Sequence, residues 1–351
     1  MSNQVSRIQI GNKIGEGHFG EVFLAEDEVH GDVAVKRLSR MEIDPETGQR
    51  ETDEKWEKRR EGLVKEAQFL AKATHPNIAQ VHYAVRGDDG ESVQFVMALC
   101  RAGSLSGPYK RGPMQTKAVR KIATEVSFGL QALHQRGMIH RDIKPANILL
   151  DDRGCARISD FGLVTDEIVE GYARRGGYLD HLAIEAWYDP LTSVKTDIWA
   201  FGMTLYRLLH GHTWYSRMAR PATEIPSGGF ATKLKWLPHI PDRWRRFIRQ
   251  TMNDDTERRY GSCESVIRGL ALLPVSNWDC DVAEKSVTWK RSTKGRIHHV
   301  LWSQDAPRSH SWRAWSEPMG TGRKMSIGGS QGNLAPSKCV RELEDFFARQ
   351  R

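Results

Sequence analysis

Three polar residues that could act on one reacting group lie close together in the stretch IHRDIKPANILL. The apolar run at residues 148–150 follows Asp142, Lys144 and Asn147. A further acid, Asp160, lies shortly after this run. Transfer of a phosphoryl group needs a base for the attacking hydroxyl, a cation near the moving phosphate and hard oxygen ligands for a metal ion. We assign these tasks to Asp142, to Lys144, and to Asn147 with Asp160, because carboxylate and amide oxygens suit Mg²⁺.

A glycine-rich stretch near the N-terminus could approach the phosphates of a nucleotide. GEGHFGEV places Gly15, Gly17 and Gly20 in the spacing G-x-G-x-x-G, and glycines let backbone N–H groups come close to phosphate oxygens. The same spacing often just closes a hairpin. A dinucleotide site would continue as a helix, whereas EVFLAED continues as a strand. The pattern therefore favours a flap over a nucleotide.

One lysine lies at the end of an apolar strand, where it needs a partner. Lys36 ends VAVK, and Glu66 lies in the helical stretch LVKEAQFLAKATHPNI. We expect the two to form an ion pair, because an unpaired buried ammonium would be costly. On their own, both could equally be ordinary surface residues.

The elements that must position these residues change in type along the chain. Alternating apolar residues predict a hairpin around Val22–Leu24 and Val33–Val35, and two more strands flank the turn GDDG. A charged stretch, DPETGQRETDEKWEKRREG, is expected to be a solvated loop or short helix, with a helix from Leu63 to Ala73. Helical patterns dominate after about residue 193. The plan is an α+β protein with a β-rich lobe followed by a helical lobe.

In order along the chain, these motifs resemble those of the eukaryotic-type (Hanks-type) Ser/Thr protein kinases. The matching segments are GEGHFGEV, VAVK, Glu66 with HPNI, HRDIKPAN, DFG and DIWAFG with Asp197, and DTERRY makes Arg259 the expected partner of Glu185. The resemblance implies a bilobal kinase fold, ATP and Mg²⁺ (with Mn²⁺ as an alternative ion), and a protein substrate. It implies catalytic roles for Asp142, Lys144, Lys36 and Glu66, and a bracing role for Asp197. The nucleotide-contacting positions that it implies are Ile14, Gly15, Gly17, Gly20, Val22, Ala34, Lys36, Met97, Ala98, Cys100 and Asn147.

The segment before Glu185 departs from the family pattern. GYLDHLAIE has Tyr178 where the family has threonine, His181 where it has tyrosine and Ile184 where it has proline. These changes leave ATP handling intact and bear on the choice of substrate. The glutamate usual at the start of the adenine-contacting strand is also replaced, by Ala98.

The chain from Asp160 to Glu185 could also regulate activity. Arg141, beside the catalytic acid, resembles the arginine of kinases in which a phosphate orders this segment. Thr165, Tyr172 and Tyr178 are the hydroxyls present there. The alternative is that none is modified and the segment is ordered by its own packing.

Composition excludes several classes of protein. The chain has 351 residues, 39% hydrophobic and 27% charged, with a formal net charge of +8, which is ordinary for a globular protein. No apolar run reaches the ~18 residues that could cross a bilayer, and the N-terminus lacks the apolar core of a signal peptide. We therefore expect a cytoplasmic protein without a membrane partner. Scattered cysteines favour a reducing compartment over disulfides or structural zinc: Cys100, Cys155, Cys263, Cys280 and Cys339.

The tail differs from the rest of the chain. We expect a kinase domain over residues 1–274, with lobes at about 8–100 and 101–274, and an accessory module over 275–351. The tail holds five tryptophans and thirteen Lys and Arg against eight Asp and Glu, a net charge of +5. VTWKRSTKGRIHHVLW predicts a hairpin, GTGRKMSIGGSQGNLAPS a loop, and KCVRELEDFFARQR a terminal amphipathic helix with Ser337 as its cap.

Three interpretations of this tail remain open. The tryptophans could form the module's own core or pack on the helical lobe, which is the interpretation that we favour. They could instead form a stacking surface for nucleic acid. The face of the terminal helix could also contact a partner protein, through Val340, Leu343, Phe346 and Phe347.

The function expected from the sequence is transfer of the γ-phosphoryl of Mg-ATP to Ser or Thr hydroxyls of a protein, with autophosphorylation as one outcome. Two alternatives belong to other classes: a kinase-fold scaffold that binds ATP without turnover, and a kinase for an atypical or nucleic-acid-associated substrate.

Overall fold

The computed structural model of the chain describes residues 8–17, 20–40, 42, 48–72, 74–87, 89–160, 173–174, 179–188, 191–218 and 221–350. Within these ranges, no helix is both long and apolar enough to span a membrane.

The first part of the chain forms a five-stranded antiparallel sheet with the order β1-β2-β3-β5-β4. Val33 and Val35 of the predicted hairpin are fully buried, and Leu24 pairs with Ala34 across it, so both predicted strands are confirmed. The strands are β1 (Ile8–Gly17), β2 (Gly20–Asp27), β3 (Gly31–Ser39), β4 (Val81–Arg86) and β5 (Ser92–Ala98).

The helix that packs on this sheet begins earlier than predicted. Helix α1 spans Asp53–Lys72, so the second half of the charged stretch is the start of a long helix and the prediction of a solvated loop or short helix is wrong there. Trp56 is only 2% exposed. Arg59 donates two hydrogen bonds to the buried carboxylate of Glu51, at 2.8 and 2.7 Å. A single tryptophan and one buried ion pair therefore anchor a segment that is otherwise charged.

The second part of the chain is mainly helical, as expected. Short ribbons, β6 (Ile148–Leu150) with β7 (Ala156–Ile158), and β8 (Ala173–Arg174) with β9 (Leu191–Thr192), interrupt the helices. The helices are α2 (Ser106–Arg111), α3 (Thr116–His134), α4 (Glu185–Tyr188), α5 (Val194–Tyr215), α6 (Pro221–Glu224), α7 (Phe230–Lys233), α8 (Asp242–Thr251) and α9 (Cys263–Ala271). The expected bilobal α+β fold is confirmed.

The tail folds into a second five-stranded antiparallel sheet with one covering helix. The strands follow chain order, and the predicted hairpin is β11 with β12, where Trp289 lies opposite Val300. The elements are β10 (Asp279–Ala283), β11 (Ser286–Thr293), β12 (Arg296–Ala306), β13 (Ser309–Pro318), β14 (Met325–Gly329) and α10 (Pro336–Arg349).

Two predictions for the tail are wrong in detail. Strand β14 lies within the stretch predicted to be a loop, where it extends the sheet beside β13. Ser337 does not cap the last helix. That helix has Ala335 at its N-cap and Pro336 at its first position, and proline suits this position because its missing N–H would have no helical partner anyway.

The interpretation of the tail tryptophans as core residues is confirmed for three of the five. Trp278, Trp289 and Trp312 are at most 7% exposed, so these rings are not available to stack on bases. The terminal helix turns its apolar face to the module instead of to a partner, because Leu343, Phe346 and Phe347 are buried; Phe347 packs against Trp278 and Trp289.

Candidate active site

A deep cleft separates the N-terminal sheet from the helical lobe. Its volume is about 1450 Å³ including its open mouth. Most of the predicted site residues line it: Ile14, Gly15, Gly20, Val22, Ala34, Lys36, Met97, Ala98, Cys100, Lys144, Asn147 and Asp160. Of the other three, Gly17 pairs with Gly20 across the β1–β2 hairpin, Asp142 is hydrogen-bonded to two lining residues, and the side chain of Glu66 lies outside the described part of the chain.

The glycines of the hairpin above this cleft are not equivalent. Gly20 has φ = 138°, and a Cβ built on it would lie 2.1 Å from the carbonyl oxygen of Arg37, so only glycine fits. A Cβ on Gly15 would meet the Val22 side chain at 3.6 Å, an ordinary van der Waals contact. Gly20 is therefore required by the fold itself, whereas Gly15 leaves the backbone open for another reason, such as close approach of a ligand.

The polar residues of IHRDIKPANILL converge on one carboxylate. Lys144 donates from Nζ to Oδ2 of Asp142 at 2.6 Å. Asn147 donates from Nδ2 to the same oxygen at 2.8 Å and to the backbone carbonyl of Asp142 at 2.9 Å. A single 3₁₀ turn at Pro145–Asn147 brings the amide back over the acid. These N–H donors fix the orientation of the Asp142 carboxylate, which is only 2% exposed.

Lys36 is buried, as its position on an apolar strand predicts. Its Nζ donates to Oδ1 of Asp160, which lies across the cleft on the helical lobe. The pair of Lys36 with Glu66 stays a prediction, because the side chain of Glu66 lies outside the described part of the chain. The contact seen joins the two lobes through the ammonium and the predicted metal-binding carboxylate. Asp160 has φ = 65°, a strained conformation for a non-glycine residue.

Asp197 braces the backbone of the catalytic loop, as expected. Its carboxylate accepts hydrogen bonds from the amides of His140 at 2.9 Å and Arg141 at 2.8 Å, and from His134 at 2.8 Å. Burial raises the pKa of Asp197, but the bonds from His134 and the His140 amide outweigh it and hold the pKa below its ordinary value. Arg141 has φ = 67°, so this brace holds the loop in a conformation that it would otherwise leave.

His181, one of the departures from the family pattern, lies directly beneath the same loop. Its Nδ1–H donates to the carbonyl oxygen of Ile143 at 2.8 Å, and its Nε2 accepts from Arg207 at 2.7 Å. The guanidinium of Arg207 lies 4.5 Å from the ring centre of Tyr109 and 4.9 Å from that of Tyr215. Burial and the nearby guanidinium lower the pKa of His181 well below its ordinary value. The ring is therefore a neutral link between this segment and the residue after Asp142.

The predicted pair of Glu185 and Arg259 is confirmed. Arg259 donates from Nη1 and Nη2 to the two carboxylate oxygens at 2.6 and 3.0 Å. Its side chain is 0% exposed and also donates to the carbonyls of Asn253 and Lys195. The proposed regulatory hydroxyls of Thr165, Tyr172 and Tyr178 lie outside the described residues.

Comparison with known proteins identifies the family. The model of the protein kinase domain matches residues 8–268, which include both lobes and every motif described above. The chain belongs to the eukaryotic (Hanks-type) protein kinases.

Relatives of this kinase fall in several groups. It is 28% identical over 314 residues to the serine/threonine-protein kinase ssp1 of Schizosaccharomyces pombe, which covers 82% of this chain and 45% of the relative. It is 29% identical to the mitogen-activated protein kinase kinase kinase ANP1 of Arabidopsis thaliana (66% of this chain, 34% of the relative). The tyrosine-protein kinase JAK1 of Danio rerio is 28% identical (56% and 17%). The chain thus spans less than half the length of each of these relatives.

The residues of the kinase cleft fit ATP with a divalent metal ion, whose use the protein kinase domain implies in general. The Nδ2 of Asn147 is committed to Asp142, which leaves its amide oxygen for a cation. Asp160 adds a carboxylate on the same wall of the cleft. Two oxygen donors of this kind, with phosphate oxygens and water completing the shell, are a donor set that Mg²⁺ prefers.

Sequence reasoning missed part of the kinase cleft. Leu149 lines it although it lies two residues after Asn147, in a run that the sequence analysis treated only as a buried strand. The sequence pattern could have indicated that Leu149 lines the cleft, because alternate residues of a short strand face opposite sides. The other lining residues that were missed are Glu16, Ala79, Gly103, Ser104, Ser106, Ala146 and Ser159; Leu99, which also lines the cleft, lies within the predicted adenine-contacting strand from Ala98 to Cys100.

Proposed function

We propose that this kinase transfers the γ-phosphoryl of Mg-ATP to serine or threonine hydroxyls of a protein substrate. The observation that carries the proposal is the convergence of Lys144 and Asn147 on the single carboxylate of Asp142, at the mouth of a cleft that Lys36 and Asp160 bridge. A scaffold that only bound nucleotide would need none of the contacts to Asp142.

Each residue has a defined task in this proposal. Asp142, fixed by two donors, orients the substrate hydroxyl and accepts its proton. The ammonium of Lys144, 2.6 Å from that carboxylate, offsets charge on the transferring phosphoryl group. Lys36 contacts the α- and β-phosphates, and Glu66 is the residue that we propose to hold it when ATP replaces its contact with Asp160.

The metal site is proposed from the same geometry. Asn147 and Asp160 would hold Mg²⁺, with Mn²⁺ as an alternative, which supplies Lewis-acid stabilisation of phosphate charge when bound. The N–H groups of Asn147 point to Asp142, so this one side chain ties the position of the metal ligand to that of the base.

The preference for Ser and Thr rests on the loop and on the relatives. A lysine two residues after Asp142 resembles the loop of Ser/Thr kinases, and relatives named as Ser/Thr kinases include ssp1 and ATG1a of Arabidopsis thaliana. Because JAK1 also matches, the acceptor needs a direct test.

The test is a radiolabelled ATP assay with Mg²⁺ on the whole chain, with casein as added substrate, followed by phosphoamino-acid analysis. Wild type should label Ser or Thr, and Asp142→Asn should reduce labelling by at least 10³-fold, since a base and its positioning are lost together. Asp152→Asn makes the same chemical change at an exposed turn and should keep full activity. Label mainly on tyrosine would contradict the Ser/Thr assignment, and equal labelling by the Asp142 variant would contradict the catalytic one.

A further inference from the structure

A second cleft lies where the tail module meets the helical lobe, and it shares no lining residue with the ATP cleft. Its volume is about 600 Å³ including its open mouth. Trp214, at the end of α5, and Trp302, on β12, form its apolar wall with ring centres 6.3 Å apart and planes inclined at 56°. Met218 and Val287 complete this wall.

The hydrogen bond between Trp302 and His310 determines which ring nitrogen of His310 carries its hydrogen. Trp302 donates from Nε1 to Nδ1 of His310 at 2.9 Å. Because Nδ1 accepts, the hydrogen of the imidazole lies on Nε2. His310 is 8% exposed and lines the cleft, and among the described residues Nε2 makes no hydrogen bond. This N–H is therefore free to donate to an acceptor atom of a ligand in the cleft.

The mouth of this second cleft is positively charged. Three cations and one acid line it, Arg217, Lys235 and Lys285 against Glu284. Arg217 donates to the backbone carbonyl of Glu284 at 3.2 Å. Lys235 and Lys285 are exposed, and neither forms an ion pair within the described ranges. Aromatic walls alone could receive a cationic ligand, but three cations at the mouth would repel it.

We propose that this cleft binds a small planar aromatic anion. The ring would lie against Trp214 and Trp302, an acceptor atom of the ring would take the Nε2–H of His310, and a carboxylate or phosphate would lie between Lys235 and Lys285. This would be a site additional to the catalytic cleft. It exists only because the tail module packs on the lobe, so the ligand would bind both parts at once.

The probe that tests this combination is isonicotinate, which has a ring nitrogen opposite its carboxylate. Protein labelled with ¹⁵N-tryptophan reports binding through the indole resonances of Trp214 and Trp302, and the described residues that line the ATP cleft include no tryptophan. Isonicotinate should shift both resonances in a saturable way. Benzoate, which lacks the acceptor, should bind roughly threefold to tenfold more weakly, and pyridine and inorganic phosphate, which each lack one half of the ligand, should give no saturable shift.

Single substitutions distinguish binding in this cleft from general attraction of anions to a positively charged protein. Lys285→Gln should weaken isonicotinate roughly twofold to fivefold, as should Lys235→Gln. Lys290→Gln, on the same strand but outside the cleft, should not change the affinity. Both lysines are exposed, so the variants should fold normally. Equal affinity for benzoate and isonicotinate, equal effects of the Lys285 and Lys290 variants, or shifts that match those of phosphate would each overturn the proposal.

Discussion

Arg207 donates a hydrogen bond from Nη1 to Nε2 of His181 at 2.7 Å, and His181 in turn donates from Nδ1 to the carbonyl oxygen of Ile143. Because Ile143 directly follows Asp142, these two hydrogen bonds join the segment before Glu185 to the catalytic loop. Thr204 donates to the same carbonyl at 3.1 Å. The histidine that replaces the family's tyrosine thus has a complete set of partners.

We expect His181→Ala to lower the free energy of unfolding by about 1–3 kcal/mol, because it removes a buried ring and takes an acceptor from the partly buried guanidinium of Arg207. The double variant His181→Ala/Arg207→Leu should cost less than the sum of the two single changes, since residues of one network are coupled. Urea unfolding of the three variants measures this. Additive losses would show that the two side chains act independently.

Gly20 and Gly15 provide a matched pair for the glycine-rich hairpin. Gly20→Ala should lower the free energy of unfolding by about 1–3 kcal/mol, because its φ of 138° and the carbonyl of Arg37 leave no room for Cβ. Gly15→Ala should change it by less than about 0.5 kcal/mol. Thermal unfolding without nucleotide compares the two, and a Gly15 variant as unstable as the Gly20 variant would contradict this account of the hairpin.

The buried ion pair of Arg259 should matter more than an exposed one. Glu185→Ala is expected to cost about 3–5 kcal/mol, since it leaves a buried guanidinium without its carboxylate. Glu264→Ala removes an exposed partner from Arg268, 2.6 Å away, and should cost less than about 0.5 kcal/mol. Urea midpoints of the two variants would distinguish them, and similar losses would show that Arg259 finds enough support in backbone carbonyls.

Two buried histidines should make the protein less stable in acid. Burial lowers the pKa of His210 and of His239 to about 3. As the pH falls from 6.5 toward 3, the unfolded histidines take up protons that the folded ones refuse, so stability is lost at about 1.4 kcal/mol per pH unit for each group. Urea midpoints at pH 7.5 and 5.5 should show the loss.

A variant identifies one source of this acid sensitivity. His239 accepts a hydrogen bond from Trp289 at 2.9 Å, so His239→Asn keeps an acceptor and removes the titrating ring. It should reduce the difference between the two pH values, whereas His212→Asn, at an exposed position, should leave it unchanged. An unchanged difference in both variants would exclude His239 as a source.

Most residues that the sequence predicts for the nucleotide site line one cleft in the structure, because the motifs that mark them are short and local. Asp142, Lys144 and Asn147 lie at most five positions apart, so their spacing in the sequence already indicates that the three side chains are close together. Gly20 is different, because the sequence assigned all three glycines to close approach of phosphates and did not predict that the fold itself requires glycine at this position. The order of the sheet and the helical lobe followed from apolar periodicity, which long elements display clearly.

What the sequence did not predict depends on contacts between distant segments. His181 and Arg207 are 26 residues apart, and nothing in either stretch marks them as partners. The start of α1 was missed because Trp56 is a lone apolar residue among charges, where periodicity has no signal. The partner of the terminal helix stayed open at the sequence level, because an amphipathic face looks the same whether it packs on another protein or, as here, on the sheet that precedes it.

The packing of α10 on the tail sheet also has a consequence for synthesis of the protein. Trp289 and Trp312 lie on strands that leave the ribosome before Phe346 and Phe347, which cover them. Until α10 emerges, the sheet therefore presents an uncovered aromatic face, a state prone to aggregation. The kinase lobes can fold while the chain is still growing, but the tail sheet stays uncovered until α10 has been made. A chain interrupted before α10 would therefore keep this aromatic face exposed, even though the whole kinase domain had already been made.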